Sequence, residues 1–395
     1  MPGAGGLGGR AVPGGKGRAR PGRRRYCRGG AVPVTLPTAI REVALHRARL
    51  PLPEPFTSAV VRVEAVHLVI ARVTTEGGLT GLASAFAFSR RDAAMIAACL
   101  TQMTDLVLGQ DAADPQALWQ RLASALVFVG AGGPALAALS VLDMAAWDIR
   151  ARAADLPLHF LLGAGRDRVP AYASGGSTAA SVAELCDEVA GYAAQGFSQA
   201  KIKLRRAPAE NAARLAALRE AVGWDMTLYV DGNQQWMGPE AIEAARALLP
   251  FAPGWLEEPV GARDFAALRE VHRAGLLPLA TGETNFGETE LTRLIEDRSA
   301  DVLMPNLQRL GGITAWLRVA DAAHRAGLRV ASHVNPQYAL PLLCAAPNAT
   351  TLEYIPWWPN PFNEELQFRD GQAVAFDGPG FGVTLDDARL RHNPD

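Results

Sequence analysis

From about residue 169 to residue 356 the sequence alternates short apolar runs with longer Ala/Leu/Arg/Glu stretches, and this regularity constrains the fold more than any other feature. The apolar runs are VPAYAS (169–174), AKIKL (200–204), TLYVDGN (227–233), GWLEEP (254–259), LPLATGET (277–284), DVLMPN (301–306), LRVASHVN (328–335) and TTLEYI (350–355). Each is strand-like in composition and too short for a helix of ordinary length. Intervening stretches such as PAENAARLAALREAVG and PEAIEAARALL have helical periodicity, and the phrase HRAG ends two of them, at 272–275 and 324–327. Glycine there supplies the left-handed conformation that closes a helix before the next strand. Eight strands joined by right-handed crossovers close most economically into a parallel barrel, so the sequence predicts an α/β fold built on a (β/α)8-type, TIM-like barrel. Reactive chemistry in such a barrel gathers at the C-terminal ends of the strands.

Those ends carry Lys201 and Lys203, Asp231 and Asn233, Glu257 and Glu258, Glu283, Asn306, His333 and Glu353. Asp231, Glu257 and Glu283 end three consecutive strands at equal intervals of 26 residues, so a barrel would bring them to one point near its axis. One such acid alone would be an ordinary solvated loop residue, but three sharing a space need a cation. A hard, all-oxygen set with room for water and substrate oxygens suits octahedral Mg2+ better than Zn2+, which favours His and Cys. Lys201 and Lys203 alternate in KIK and so face the same side of their strand. On its own K-x-K is a common pattern of exposed edges. Facing inward near a metal, each ammonium would lower the pKa of the other toward that of a usable base. His333, across the barrel from Lys203, is a second acid–base candidate, although a lone histidine of this kind is commonly a core residue.

Upstream, residues 40–86 form alternating β-rich stretches, with Glu76-Gly77-Gly78 as a hairpin turn, and residues 90–162 form Ala/Leu-rich helical patterns ending in GPALAALSVLDMAAWDIRARAADLPLHFLLG. Sheet followed by helices indicates a small α+β domain. Residues 1–35 carry eight basic side chains and no acid in a Gly/Pro/Arg-rich stretch that cannot supply a core and lacks the apolar segment of a secretory signal, so they read as a disordered extension. The formal net charge of -1 gives no reason to expect nucleic acid or an anionic membrane as partner. No apolar run reaches the length of about 18 residues that a membrane span needs. Cys27, Cys99, Cys186 and Cys344 show no paired spacing, which argues against a disulfide framework or zinc site and for a reducing, cytoplasmic compartment.

The ordered set AKIKL, YVDGN, WLEEPV, TGETNFG, MPNLQRLGGIT and ASHVNP resembles the enolase superfamily, specifically the mandelate racemase subgroup of its mandelate racemase/muconate lactonizing enzyme family. The GGLTG hairpin and LDMAAWD helix resemble that family's capping domain, and PGFGV near residue 381 its closing segment. The resemblance implies an α+β capping domain over 36–165, the barrel over 166–356, and a C-terminal segment over 357–395 that returns to the capping domain. It makes Asp231, Glu257 and Glu283 the Mg2+ ligands, Lys203 the catalytic lysine, Lys201 the lysine that tunes it and meets the substrate, and His333 the histidine on the opposite face. Glu353 matches an acid that hydrogen-bonds the substrate carboxylate, and Asn233 a polar group near metal and substrate.

The implied chemistry is abstraction of the proton α to a carboxylate, with Mg2+ and neighbouring donors stabilising the enediolate. Departure of a β-hydroxyl then gives a dehydratase, whereas reprotonation from the other face gives a racemase or epimerase. Many members of the subgroup dehydrate sugar acids, which makes a hydro-lyase acting on a sugar acid the first expectation. The stretch RLPLPEPFTSAVVRVEAVH, read as the capping loop, offers few polar partners (Glu54, Thr57, Ser58, Arg62, Glu64), which keeps racemisation of a hydrophobic 2-hydroxy acid as the alternative. A catalytically silent barrel that only binds a carboxylate would have no use for paired bases. The family's habit of association implies a homo-oligomer.

Asn306 departs from the family's pattern. The sixth strand usually ends in Pro-Asp, and that Asp pairs with the histidine of the seventh; here the run is MPNLQRLGGIT. The Asn carbonyl is expected to hold the His333 ring through its Nδ1 proton without supplying the charge that raises its pKa. His333 would then be the weaker base, suited to hydrogen-bonding or delivering a proton, and one-base dehydration by Lys203 is favoured over two-base racemisation. The plainer alternative is that Asn306 marks a site with no further need of the dyad.

Overall fold

The computed structural model describes residues 36–395, so the basic extension over 1–35 and Cys27 lie outside the described residues. Strands β1 (Ile40–Thr57) and β2 (Arg62–Thr75) form an antiparallel ribbon, and β3 (Thr80–Ala87) returns along β2 after the Glu76-Gly77-Gly78 turn. The capping segment expected as a loop is mostly strand, connected only by residues 58–61. Leu50, Leu52 and Phe56 of β1 are buried, as are Val63 and Ala65 of β2. Pro51, Pro53 and Pro55 are tolerated because β1 is an edge strand whose register shifts between Pro51 and Phe56.

Helices Arg90–Val107, Pro115–Ala125 and Gly133–Ala153 follow β3. The third is buried on almost every face from Leu136 to Ala151, as a helix enclosed on all sides must be. Its LDMAAWD stretch ties distant segments together. Asp143 accepts from Thr314 N at 3.0 Å and Thr314 Oγ1 at 2.5 Å, and Trp147 Nε1 donates to Thr314 Oγ1 at 2.9 Å. Asp148, fully buried, accepts from Leu82 N at 3.0 Å, Phe381 N at 2.9 Å and Arg152 Nε at 2.9 Å. Asp148→Ala should therefore cost about 3–5 kcal/mol, since it strands a guanidinium and two backbone donors; denaturant unfolding would measure the loss.

The barrel strands are β4 (Arg168–Ser174), β5 (Gln199–Lys203), β6 (Thr227–Asp231), β7 (Leu256–Glu257), β8 (Leu279–Thr281), β9 (Val302–Leu303), β10 (Arg329–Val330) and β11 (Leu352–Tyr354). Each of β4 to β9 pairs in parallel with the next, and β11 pairs in parallel with β4. Between β10 and β11 there is no regular ladder, but a parallel bridge from Val330 to Ala349 and a hydrogen bond from Thr350 N to Val330 O at 2.8 Å cross the seam. All eight apolar runs contain a strand. Several ladders are shorter than their runs because the rim residues turn, with φ of 44° at Asn233, 33° at Glu258 and 47° at Val334. Gly275 and Gly327, which end the HRAG phrases, have φ of 62° and 77°, as a left-handed helix close requires.

The expectation of eight βα units needs one correction. Among the described residues the last strand is not followed by a barrel helix. The sequence PWWPNPFN places prolines at 356, 359 and 361, which a helix interior does not accept. The chain instead forms the hairpin β12 (Gln367–Arg369) and β13 (Gln372–Val374), with β13 antiparallel to β4, and then runs back to the first sheet. There Asn393 O accepts from Arg49 N at 2.9 Å, and Asp395 Oδ1 lies 3.0 Å from His67 Nδ1. No helix among the described residues is long and apolar enough to cross a membrane. Cys99, Cys186 and Cys344 are free thiols.

Candidate active site

Alternation along β5 sends both lysines to one side, as expected, and they converge on β6. Asp231 Oδ2 lies 2.5 Å from Lys203 Nζ and 3.9 Å from Lys201 Nζ. Lys201 Nζ is also 2.5 Å from Glu257 Oε1 and 2.8 Å from Glu353 Oε1, so one ammonium, 1% exposed, joins carboxylates from β6, β7 and β11. The floor beneath is aromatic: Lys201 Nζ stands 5.4 Å from the Tyr172 ring centroid, and Tyr172, Tyr229 and Trp255 pack against one another.

Glu283, just beyond β8, points Oε2 at His333 Nε2 across 3.3 Å, in an orientation that makes no hydrogen bond, leaving this buried oxygen without a partner. Asn233 donates through its backbone N to Asp231 Oδ1 at 2.8 Å and through Nδ2 to Asp231 Oδ2 at 3.1 Å, while its own Oδ1 is buried and unpartnered. Glu258 accepts from Gln234 Nε2 at 2.8 Å and Thr284 Oγ1 at 2.7 Å. Glu353 Oε2 accepts from Val334 N at 2.8 Å and so fixes the turn beside His333, where a β-branched residue sits in the left-handed region and is strained.

Asn306 is oriented opposite to expectation. Its Oδ1 accepts from Gln308 N at 3.0 Å and Arg309 N at 3.2 Å, capping the short helix Leu307–Leu310. The carbonyl is therefore committed, and the amide nitrogen faces His333 Nδ1 at 2.8 Å. Nδ2 can only donate, so Nδ1 accepts, and the neutral ring carries its proton on Nε2.

Five carboxylates, Asp231, Glu257, Glu258, Glu283 and Glu353, share this region with two ammonium groups. Burial and neighbouring carboxylates push Glu283 and Glu258 up to about 7 and Glu257 well above its ordinary range. For Asp231 burial acts upward but Lys203 and Lys201 win, and for Glu353 Lys201 does the same, leaving both below the usual carboxylate range. The expected mutual lowering of the lysines is reversed. Burial acts downward on both, yet Glu257 and Glu353 raise Lys201 well above its ordinary value, and Asp231 outweighs the repulsion from Lys201 and raises Lys203. Burial takes His333 down to about 3, with Glu353 opposing and Lys201 and Arg309 reinforcing. Glu353 accepts at both oxygens, from Lys201 Nζ at Oε1 and from Val334 N at Oε2.

Because the lysines interleave with the acids, no three His, Cys, Asp or Glu groups among the described residues stand ready-spaced around a metal position. The residues nonetheless fit a hard divalent cation. The donors are all oxygen, negative charge is in excess, and Glu283 Oε2 and Asn233 Oδ1 are buried acceptors that no described residue satisfies. Asp231, Glu257 and Glu283 are the residues that would hold it.

The tip of the β1–β2 ribbon is strapped to the rim. Thr57 O accepts from Thr178 N at 2.9 Å and Ser177 Oγ at 3.1 Å, and Phe56 stacks on Trp357 with ring centroids 4.3 Å apart. Of the polar residues expected there, Arg62 and Glu64 pair with each other in solvent and Ser58 caps its own turn. A cavity of about 510 Å³ opens at the tip, lined by Ser58, Ala59 and Val60 of the turn and by Thr178, Arg205, Arg206 and Gln235 of the barrel loops. Sequence reasoning missed Arg309, Tyr172 and Trp255. Only Trp255 carried a signal, lying two residues before Glu257 and hence on the same side of its strand.

An eight-stranded parallel barrel with lysines, carboxylates and a histidine at its C-terminal rim, under an antiparallel capping sheet, is the architecture of an enolase-type enzyme. Residues 40–163 match the N-terminal domain of mandelate racemase / muconate lactonizing enzyme, and residues 182–389 match the enolase C-terminal domain-like family. The chain belongs to the mandelate racemase/muconate lactonizing enzyme family of the enolase superfamily. It is 35% identical over 363 residues to the L-talarate/galactarate dehydratase of Salmonella typhimurium, covering 89% of this chain and 90% of that protein. It is 30% identical over 354 residues to the 3,6-anhydro-alpha-L-galactonate cycloisomerase of Streptomyces coelicolor, covering 89% and 98%. The crystal structure of the Salmonella dehydratase liganded with Mg and L-lyxarohydroxamate superposes with a TM-score of 0.86 at 33% identity, covering 90% of this chain and 93% of that one.

Proposed function

We propose that this protein is a Mg2+-dependent hydro-lyase that dehydrates a sugar acid. The observation that carries the reading is the opposition of two donors of different kind. Lys203 and Lys201 approach the carboxylate cluster from β5, while His333, held as an Nε2–H donor by Asn306, faces it from beyond β10. Lys203 Nζ, neutral when Asp231, whose charge otherwise raises its pKa, is engaged by a cation instead, would take the proton from the carbon α to the substrate carboxylate. Lys201 meets that carboxylate and is steadied by Glu353. Asn233 turns its free Oδ1 toward a substrate hydroxyl or the cation. His333 Nε2–H hydrogen-bonds the departing β-hydroxyl, which leaves as water with the proton that Lys203 took up, and the resulting enol relaxes to a keto acid. Asp231, Glu257 and Glu283 would hold Mg2+, which when bound would supply the positive charge that stabilises the enediolate. A ring fixed as a donor serves loss of water better than reprotonation by a second base, which favours dehydration over racemisation.

The same reading takes 36–165 as the capping domain, 166–356 as the barrel and 357–395 as a segment returning to the cap. It includes a homo-oligomer, whose second copy would cover the consecutive exposed Val127, Phe128 and Val129, and a cytoplasmic location, in keeping with free thiols. The test is a panel of aldaric, aldonic and aryl 2-hydroxy acids incubated with the protein and Mg2+ in deuterated water. At least one sugar acid should yield a keto acid. Loss of optical rotation without loss of water would make the protein a racemase, and absence of both α-exchange and turnover would leave a carboxylate binder.

A further inference from the structure

Glu257 is gripped by two donors of different character. Lys201 Nζ lies 2.5 Å from Oε1, and the indole Nε1 of Trp255 donates to Oε2 at 3.0 Å. An ammonium on a flexible stem can exchange one oxygen for another, whereas the indole is fixed in place. Trp255 is 3% exposed, stacks on Tyr229 with centroids 3.5 Å apart and planes 13° apart, and meets Tyr172 edge-on at 5.6 Å. Gly254 presses the preceding backbone so close to this stack that a Cβ there would come within 2.5 Å of Tyr229 Cε1. Glu257 is the one acceptor that the indole N–H finds among the described residues.

We propose that Trp255 is a positioning residue that keeps Oε2 of Glu257 occupied, so that the carboxylate offers a single oxygen to a divalent cation, and that this selects Mg2+ over Ca2+. The proposal rests on the reading of Asp231, Glu257 and Glu283 as metal ligands. Ca2+ accepts six to eight oxygens at about 2.3–2.6 Å and readily takes both oxygens of one carboxylate; Mg2+ demands a near-octahedral set at about 2.0–2.1 Å, which the narrow bite of a bidentate carboxylate distorts. A donor locked onto Oε2 holds that oxygen toward the indole and disfavours the bidentate option that would suit the larger ion.

Isothermal titration of the full chain with MgCl2 and with CaCl2 tests this in wild type, Trp255→Phe and Trp255→His. Phenylalanine keeps an aromatic ring in the stack without a donor; histidine keeps a ring N–H at the indole position with a smaller stack. The ratio of Mg2+ to Ca2+ dissociation constants should move toward Ca2+ by about tenfold in Trp255→Phe, the scale typical of lost partners to metal ligands, and should stay near the wild-type ratio in Trp255→His even at a lower melting temperature. An unchanged ratio in Trp255→Phe, or equal shifts in both variants, would overturn the proposal, the second by showing a packing effect alone. Should Trp255→Phe not fold, the His variant decides: a wild-type ratio supports the proposal and a shifted one overturns it. Wild type that binds Mg2+ without preference over Ca2+ refutes the selectivity alone, whereas wild type that binds neither refutes the metal reading as well.

Discussion

Glu257→Gln is expected to abolish turnover while leaving the far-ultraviolet circular dichroism of the fold unchanged, and EDTA is expected to silence the wild type until Mg2+ is returned. The substitution preserves shape and hydrogen-bonding length. The amide oxygen can still accept from Trp255 Nε1, which now stands 3.0 Å from Oε2. What disappears is one negative charge from a carboxylate that ends β7 between Asp231 and Glu283, together with the acceptor that Lys201 Nζ finds at Oε1 and, on the proposed reading, a ligand for the cation. A bound metal contributes several kcal/mol to the stabilisation of developing negative charge, and each 1.4 kcal/mol or so is a factor of about ten in rate, so a loss of at least about a thousandfold is expected. Steady-state kinetics on whichever sugar acid is turned over would measure it. Full activity after rigorous chelation would remove Asp231, Glu257 and Glu283 from the role of ligands altogether.

Much of this architecture was legible in the sequence because it is local. A buried parallel strand must be an apolar run, its end is marked where polar residues begin, and the helix between two such runs shows its own period and its closing glycine. The strand-end positions of Lys203, Asp231, Glu257 and Glu283 followed from that register alone. What could not be read depends on contacts between segments far apart in the chain. The ribbon around Pro51, Pro53 and Pro55 looked like a loop because its pairing partner β2 is needed to show that an edge strand tolerates proline there. The lysine pair was expected to lower its own pKa values, since KIK shows the like charges but not the three carboxylates that β6, β7 and β11 bring to them. Trp255 reads as core in any strand until its N–H is found on Glu257. The orientation of Asn306 depended on the need of the helix beginning at Leu307 for a cap, a demand that overrides the residue's role toward the histidine.

That orientation leads to the sharpest test of the reaction. Lys203→Ala should eliminate exchange of the α-proton with solvent deuterium, whereas His333→Asn should spare exchange and block only the loss of water. For His333 to act as the base, its Nε2 would have to give up the proton and Nδ1 acquire one, which would set two donors against each other at the 2.8 Å contact with Asn306 Nδ2. Turning the amide over would relieve that clash but surrender the cap to Gln308 N and Arg309 N, at a cost of about 0.5–2 kcal/mol. Burial already takes the ring down to about 3 and so disfavours the imidazolium that a base must become. Asn306→Asp should reverse both effects. One carboxylate oxygen can keep the cap while the other accepts from Nδ1, so that the ring moves its proton to Nδ1, frees Nε2, and gains a neighbouring negative charge that raises its pKa. In the background of Lys203→Ala, where exchange has been lost, adding Asn306→Asp is expected to restore exchange from the opposite face, read by deuterium incorporation into a bound α-hydroxy acid. Equal loss of exchange in Lys203→Ala and His333→Asn would mean instead that His333 is the base with asparagine in place, and that the amide does turn over during the reaction.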